Sequence, residues 1–429
     1  MASVIFSQDA AQTSASNQAV STSGWLTFGL VFLLMMVDYI DRQVIVSMFP
    51  ALKAEFGWTD TQLGALSSVV ALTVSLGALP IAVLVDRWSR TRSIMIMGTV
   101  WSAATMACGL ATGYLQLFLA RLTVGLGEAG YGPAGSALLA SRFPARMHGF
   151  ILGAFQAAGG IGSIIGVVLG GYITARWGWR AAFGVVGVPG LILALMFWFV
   201  PDYKTFQVNH GSQRPSLGSL VRAIWQALRQ APTALLVGLG GALHLAFVAN
   251  MLTWLPSFYT RVHQLPQERA GAMTAMTVLA FSVGVIVWGR AIDRLGAAHR
   301  TRRLQAMAVL SLVCAALMAV AFGAMPVGRA QIAMIVLGGF FMGCTVGTVI
   351  AIVLDVIHPA FRATSVAFVA LLGNLGMAIG PLAVGMVSDR FGLQAGLTLA
   401  PIFSVLAAAA FVACVRVYRA DLQRLAAAQ

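Results

Sequence analysis

An arginine and a glutamate stand seven residues apart in an otherwise apolar stretch, Arg121-Leu-Thr-Val-Gly-Leu-Gly-Glu128. A helix places that spacing on one face, two turns apart. A charge inside a segment of membrane length costs about 2.5–3.5 kcal/mol on insertion scales, so such charges face a polar cavity or a partner. A second cluster lies upstream, at Asp38, Asp41 and Arg42. On a helix Asp41 falls about 60° to one side of Asp38 and Arg42 about 40° to the other. Arg42 can then neutralise one carboxylate and leave another as a proton carrier. Burial disfavours a charged carboxylate and a nearby guanidinium favours it. A group balanced between the two exchanges its proton as water access and the arginine distance change. Asp41, Glu128 and Asp38 are therefore the candidates for proton coupling. The alternative for the same residues is a static ion pair that pins two segments together. Arg121 and Arg42 also offer the planar fork that holds a carboxylate or phosphate.

Other polar residues fall at membrane depth. Tyr131, one turn beyond Glu128, is placed to line the same cavity. His244, Asn250 and Asn374 are candidate substrate contacts in the second half, with helix–helix hydrogen bonds as their alternative role. His244 is titratable near neutrality.

The elements that position these residues follow from composition. The chain has 429 residues, 59% hydrophobic and 9% charged, with a mean hydropathy of +0.86. A soluble domain carries about 25% charged residues, so this chain reads as a multispanning membrane protein. Twelve apolar runs predict an all-α fold with twelve transmembrane helices. They span 25–49, 61–85, 93–112, 114–140, 149–174, 181–201, 232–258, 270–289, 304–325, 330–356, 363–387 and 394–417. Residues 1–24 are polar, lack the basic region of a cleavable signal, and read as a disordered cytoplasmic tail. Residues 25–201 and 232–417 form two six-helix bundles, with a second cytoplasmic tail at 418–429. The 202–231 linker carries Leu217, Leu220, Val221, Ile224, Trp225 and Leu228 on one helical face. That pattern predicts an amphipathic helix on the membrane surface.

Charge orients the chain. With both termini in the cytoplasm, 18 of the 27 Lys and Arg fall on the cytoplasmic side, 7 on the other and 2 within helices. This is the positive-inside bias. The net charge of +14 is thereby assigned to membrane orientation and not to nucleic acid. The four cysteines show no metal or disulfide spacing. No G-x-x-x-x-G-K-[ST] occurs, which leaves no nucleotide cofactor as the energy source. No nucleophile–base pattern suggests an enzyme.

A short pattern recurs four times, around Asp86-Arg87, Ala175-Arg176, Asp293-Arg294 and Asp389-Arg390. The copies fall at the ends of predicted helices 2, 5, 8 and 11, on alternating sides. This is the signature of inverted three-helix repeats nested in two halves. Charges beside the loops on the cytoplasmic side are candidate gates that pair in one state and separate in the other. They are Asp86, Arg87, Arg90, Arg142, Asp293, Arg294, Asp355 and Arg362.

Asp86-Arg87-Trp-Ser-Arg90-Thr-Arg92 resembles the loop 2–3 motif of the major facilitator superfamily, with Ala82 and Ser89 where glycine is usual. The resemblance covers essentially the whole chain. It implies a monomeric secondary transporter that works by alternating access, with a small-molecule substrate, protons and the lipid bilayer as partners and without a cofactor or metal. Asp41-Arg42 and Gly127-Glu128-Ala129-Gly130 resemble signatures of two branches. In the anion:cation symporters the matching arginines hold the substrate's carboxylate. The spinster-like branch is also similar at Gly178-Trp179-Arg180 and at Phe361-Arg362-Ala363-Thr364 through Gly380-Pro381, and implies an amphipathic lipid as cargo. Both branches imply a functional acid at Asp41 and Glu128, whereas Asp38 stands where asparagine is common. The glycines of the fifth run resemble those of exporters. The expectation is proton-coupled symport of a small organic anion across a bacterial inner membrane, with lipid transport or proton-driven efflux as the alternative.

Overall fold

The computed structural model describes residues 22–202, 232–357 and 362–427. The predicted N-terminal tail up to residue 21 and the amphipathic helix of the linker lie outside the described residues. Among these residues the chain is helical and contains no strand. In the first half α1 is Thr22–Phe56, α2 Asp60–Arg87, α3 Arg90–Gly109, α4 Tyr114–Glu128, α5 Tyr131–Arg142 and α6 His148–Met196. In the second half α7 is Pro232–Arg261, α8 Gln267–Ala298, α9 Thr301–Gly323, α10 Arg329–Met342 and α11 Thr348–Val356. There follow α12 Arg362–Phe391, α13 Leu393–Leu399 and α14 Ile402–Ala427. Nine helical stretches among the described residues are long and apolar enough to cross a membrane.

The observed helices divide differently from the apolar runs, for local reasons. The run 114–140 is interrupted after Glu128, where α4 ends and α5 begins at Tyr131. The runs 149–174 and 181–201 merge into α6, whose helical backbone breaks at Gly178 (φ 80°, ψ 163°). Gly392, between α12 and α13, adopts nearly the same angles (φ 85°, ψ 158°). That region of backbone space is essentially restricted to glycine. The two glycines close the second and fourth copies of the repeated pattern, and both turns are sharp. Helix starts follow side-chain chemistry. Thr59 and Gln62 form a capping box at the start of α2, and Ser89 caps α3.

Small residues set how closely the helices approach. Gly162, Gly166 and Gly170 on α6 sit against the backbone of Met36, Ile40 and Val44 on α1. Gly376 and Gly380 on α12 meet Ala242 and Ala246 on α7 in the same manner. On α4, Gly125 sits against Val70 and Thr73 of α2, and Gly127 against Trp101 of α3. At any of these positions a side chain would push the neighbouring helix away. The stripes therefore fix α1 and α4, the two helices that carry the charged residues.

Candidate functional site

The α6 stripe presses α1 inward, and the α4 glycines seat Arg121 and Glu128 beside it. The two predicted clusters meet. Arg121 Nη1 lies 3.0 Å from Asp41 Oδ2, with both side chains 1% exposed. Arg42 spans two acids: its Nε is 3.2 Å from Asp38 Oδ1, and its Nη2 is 2.8 Å from Glu128 Oε2. The second contact is an ion pair without hydrogen-bond alignment, since neither oxygen of Glu128 has a hydrogen-bond partner among the described residues. Arg42 is the most accessible member, with 22% of its side chain exposed. Its guanidinium also lies over the Tyr39 ring, 5.2 Å from the centroid.

Three carboxylates and two guanidinia thus share one buried cluster with a formal charge of −1 when all are ionised. Asp41 Oδ1 and Arg121 Nε lack hydrogen-bond partners among the described residues. A buried polar atom without a partner costs about 1–3 kcal/mol. Asp41 Oδ1 can accept, and Arg121 Nε can donate, one further hydrogen bond.

Tyr131 opens α5, just beyond Glu128, and is buried. Its hydroxyl donates to the Val31 carbonyl at 2.5 Å, and its ring packs edge-on against Trp101 and Phe155. In the second half His244 is fully buried between two partners, 3.0 Å from Ser404 Oγ and 3.0 Å from the Met342 carbonyl. Asn250 is also fully buried, and neither polar atom of its side chain has a partner among the described residues. Asn374 is half-buried.

The candidate gates lie at the arginine-rich end. Arg303 pairs with Asp355 at 3.0 Å and with Asp293 at 3.6 Å, and Tyr418 donates to Asp355 at 2.9 Å. Arg142 donates to the Pro201 carbonyl. Arg90 is half-buried and Arg294 is exposed. The side chains of Asp86, Arg87 and Arg362 lie outside the described residues. The gate contacts resolved here stay within one half of the chain.

The opposite end holds the polar contacts that sequence reasoning missed. Asp389 of α12 caps α2 of the other half, accepting from the Asp60 amide at 2.6 Å and the Thr61 amide at 2.9 Å. Asp60 in turn pairs with Lys53 at 2.6 Å and with Arg261 of α7 at 2.9 Å, and accepts from Ser388. The signal was present in part, since Asp389 belongs to the repeated pattern. Its partner lies 329 residues away in sequence, and no local spacing points to it. Trp254 adds apolar closure there, 5.6 Å from Phe49 between ring centroids. Gln267 of α8 donates to the Ser47 carbonyl of α1 at 2.7 Å.

Two cavities lie away from the charged cluster. One, of about 400 Å³, is between α8 and α9; the other, of about 300 Å³, is beside Thr91, Arg92 and Asp202.

Known proteins resemble this chain at full length. It is 25% identical over 392 residues to the cis,cis-muconate transport protein of Acinetobacter baylyi, covering 90% of this chain and 92% of that one. It is 24% identical over 438 residues to a gallate transporter of Pseudomonas putida, covering 96% and 95%. In fold it matches a bacterial homologue of the human lysosomal transporter Spinster, in an inward-facing unoccupied conformation. That match has a TM-score of 0.80 at 20% identity and covers 94% of this chain and 99% of that one. The model of the Major Facilitator Superfamily matches residues 31–329 and 270–428. With an all-helical membrane fold and relatives that are transporters along nearly their whole length, the chain belongs to the Major Facilitator Superfamily.

Proposed function

We propose that this protein is a proton-coupled secondary transporter of a small organic carboxylate in a bacterial inner membrane. The observation that carries the reading is the buried cluster of Asp38, Asp41, Arg42, Arg121 and Glu128, which has one carboxylate in excess of its guanidinia. Arg121 and Arg42 hold the substrate's carboxylate. When the anion arrives it competes with Asp41 and Glu128 for the guanidinia, and a displaced acid takes up a proton. Substrate and proton then travel together. Relatives named for muconate and gallate transport support an anionic substrate. Tyr131, His244, Asn250 and Asn374 act as supports or contacts around this pair of arginines.

The working cycle is alternating access between two six-helix halves, 25–201 and 232–417. Twelve crossings follow if α4 with α5, α10 with α11 and α13 with α14 each make one crossing and α6 makes two. At 1.5 Å per residue α6 is roughly 70 Å long, more than twice the roughly 30 Å hydrocarbon core, and it turns at Gly178. The arginine-rich end faces the cytoplasm with both termini. The contacts of Asp60 and Asp389 close the opposite end, which makes this conformation inward-open. The gating charges at the cytoplasmic end engage when the molecule turns over.

The test is uptake into proteoliposomes with cis,cis-muconate, gallate and a lysophospholipid as probes, with and without an imposed pH gradient. Gradient-driven carboxylate uptake that loses its pH dependence in Glu128→Gln supports the reading. Coupling unchanged in both Glu128→Gln and Asp41→Asn overturns it. Movement of the lysophospholipid alone would favour an amphipathic-lipid carrier instead.

A further inference from the structure

The cavity between α8 and α9 is not part of the transport cluster, and its chemistry differs. Its walls are apolar, with Trp288, Ile292 and Leu295 from α8 and Val309 from α9. At one end stand Arg302 and Gln305. Leu295 and Val309 are 46% and 59% exposed, so the groove opens to the outside of the helical bundle. Its depth is fixed from behind. Trp288 donates its ring N–H to the Phe340 carbonyl at 3.1 Å and packs against Phe341, 5.0 Å between centroids. At the connection of the two helices Gly296 lies against the Arg303 side chain. The groove lies between them beyond that point.

The charge around the mouth is one-sided. Residues 290–303 contain Arg290, Arg294, Arg300, Arg302 and Arg303 against a single acid, Asp293. Arg303 takes both Asp293 and Asp355. Arg302 is exposed and has no carboxylate at ion-pair distance among the described residues. Along α9 the groove runs from Arg302 to Val309, about 10 Å at helical rise. That is most of one leaflet's roughly 15 Å of hydrocarbon. An apolar slot of this depth with a free guanidinium at its mouth matches an acyl chain joined to an anionic headgroup. The other cavity supplies a contrast, because Asp202 stands beside Arg92 at its rim.

We infer that the α8–α9 groove is a binding site for an anionic phospholipid, with an acyl chain along Trp288, Leu295 and Val309 and the headgroup phosphate at Arg302. The inference is independent of the transported substrate. The test uses the purified full-length protein and native mass spectrometry with phosphatidylglycerol or phosphatidylcholine added to the micelles. The wild type is expected to retain one phosphatidylglycerol more tightly than phosphatidylcholine. Arg302→Gln should weaken that retention about fivefold, the scale of one basic contact to an anionic lipid. Val309→Trp, which fills the slot, should reduce retention of either lipid. Arg290→Gln removes the same charge from the same hairpin outside the groove and should change little. Equal retention by the wild type and Arg302→Gln would overturn the site. So would equal losses in Arg290→Gln and Arg302→Gln, since the lipid would then answer to surface charge alone. Thermal unfolding of each variant in plain detergent separates loss of the lipid from loss of the fold.

Discussion

The two halves of the molecule are assembled alike and filled differently. In each, a glycine stripe on one helix receives the backbone of another: α6 against α1, and α12 against α7. The first half then buries Asp38, Asp41, Arg121 and Glu128 beside the partly covered Arg42. In the second half the buried polar groups at the corresponding depth are neutral, chiefly His244 and Asn250. Its buried acid among the described residues, Asp421, lies near the end of α14 and accepts from the Thr233 amide at the start of α7. The same packing therefore supports opposite interiors. Helix approach is decided by side-chain size, and charge can be placed on either half without disturbing it. In the proposed function, substrate charge and proton exchange belong to the first half, and the second half is its largely uncharged counterpart.

The strongest way to break this comparison is to remove one charge. Arg121→Leu leaves Asp41 buried without its countercharge, and breaking such a pair costs about 3–5 kcal/mol. A large drop in thermal stability is expected in detergent. The double variant Arg121→Leu with Asp41→Leu should recover most of it, because replacing a whole buried pair with apolar residues is often neutral. If the double variant is as unstable as the single one, the pair is not the feature that distinguishes the halves.

A smaller effect is expected where the halves meet. Asp389→Ala removes the cap on α2, worth about 1 kcal/mol. Opening of that end should become about fivefold more populated. Distances between spin labels on α2 and α12, read by pulsed electron resonance, would report it. An unchanged distance distribution would mean that the apolar contacts, such as Trp254 on Phe49, hold the ends together without the cap.

The smallest effect is expected at His244. Glutamine can keep one of its two hydrogen bonds, so His244→Gln should cost about 1 kcal/mol. It should leave the pH profile of transport in place, whereas Glu128→Gln should not. A shift of the profile in His244→Gln comparable to that in Glu128→Gln would erase the contrast between the halves.

Much of this was legible in residue types and spacing. The helical membrane fold followed from long apolar runs. The five charged residues stood out because charges cannot be left alone in apolar surroundings, but which arginine meets which acid was not legible. Tyr131 was less legible, because its hydroxyl bonds to a carbonyl 100 residues away, at Val31, which no local spacing shows. The contact of Asp389 with Asp60 and Thr61 was not legible at all. A capping interaction leaves a sequence signature only when both partners are local, as at Thr59 and Gln62. Asp293 and Asp355 stood out as candidate gating charges, but their contacts with Arg303 and Tyr418 did not.

The turns at Gly178 and Gly392 have a consequence for which substitutions they tolerate. Neither glycine is required for lack of space, since a Cβ at either position would meet nothing within 4 Å. The restriction is one of handedness. Their backbone angles are the mirror image of an ordinary extended conformation, comfortable for a D-residue and strained for an L-residue. The strain is about 1–3 kcal/mol for any L-residue and depends little on side-chain size. At these two corners glycine stands in for an amino acid of the opposite chirality, which translation does not supply.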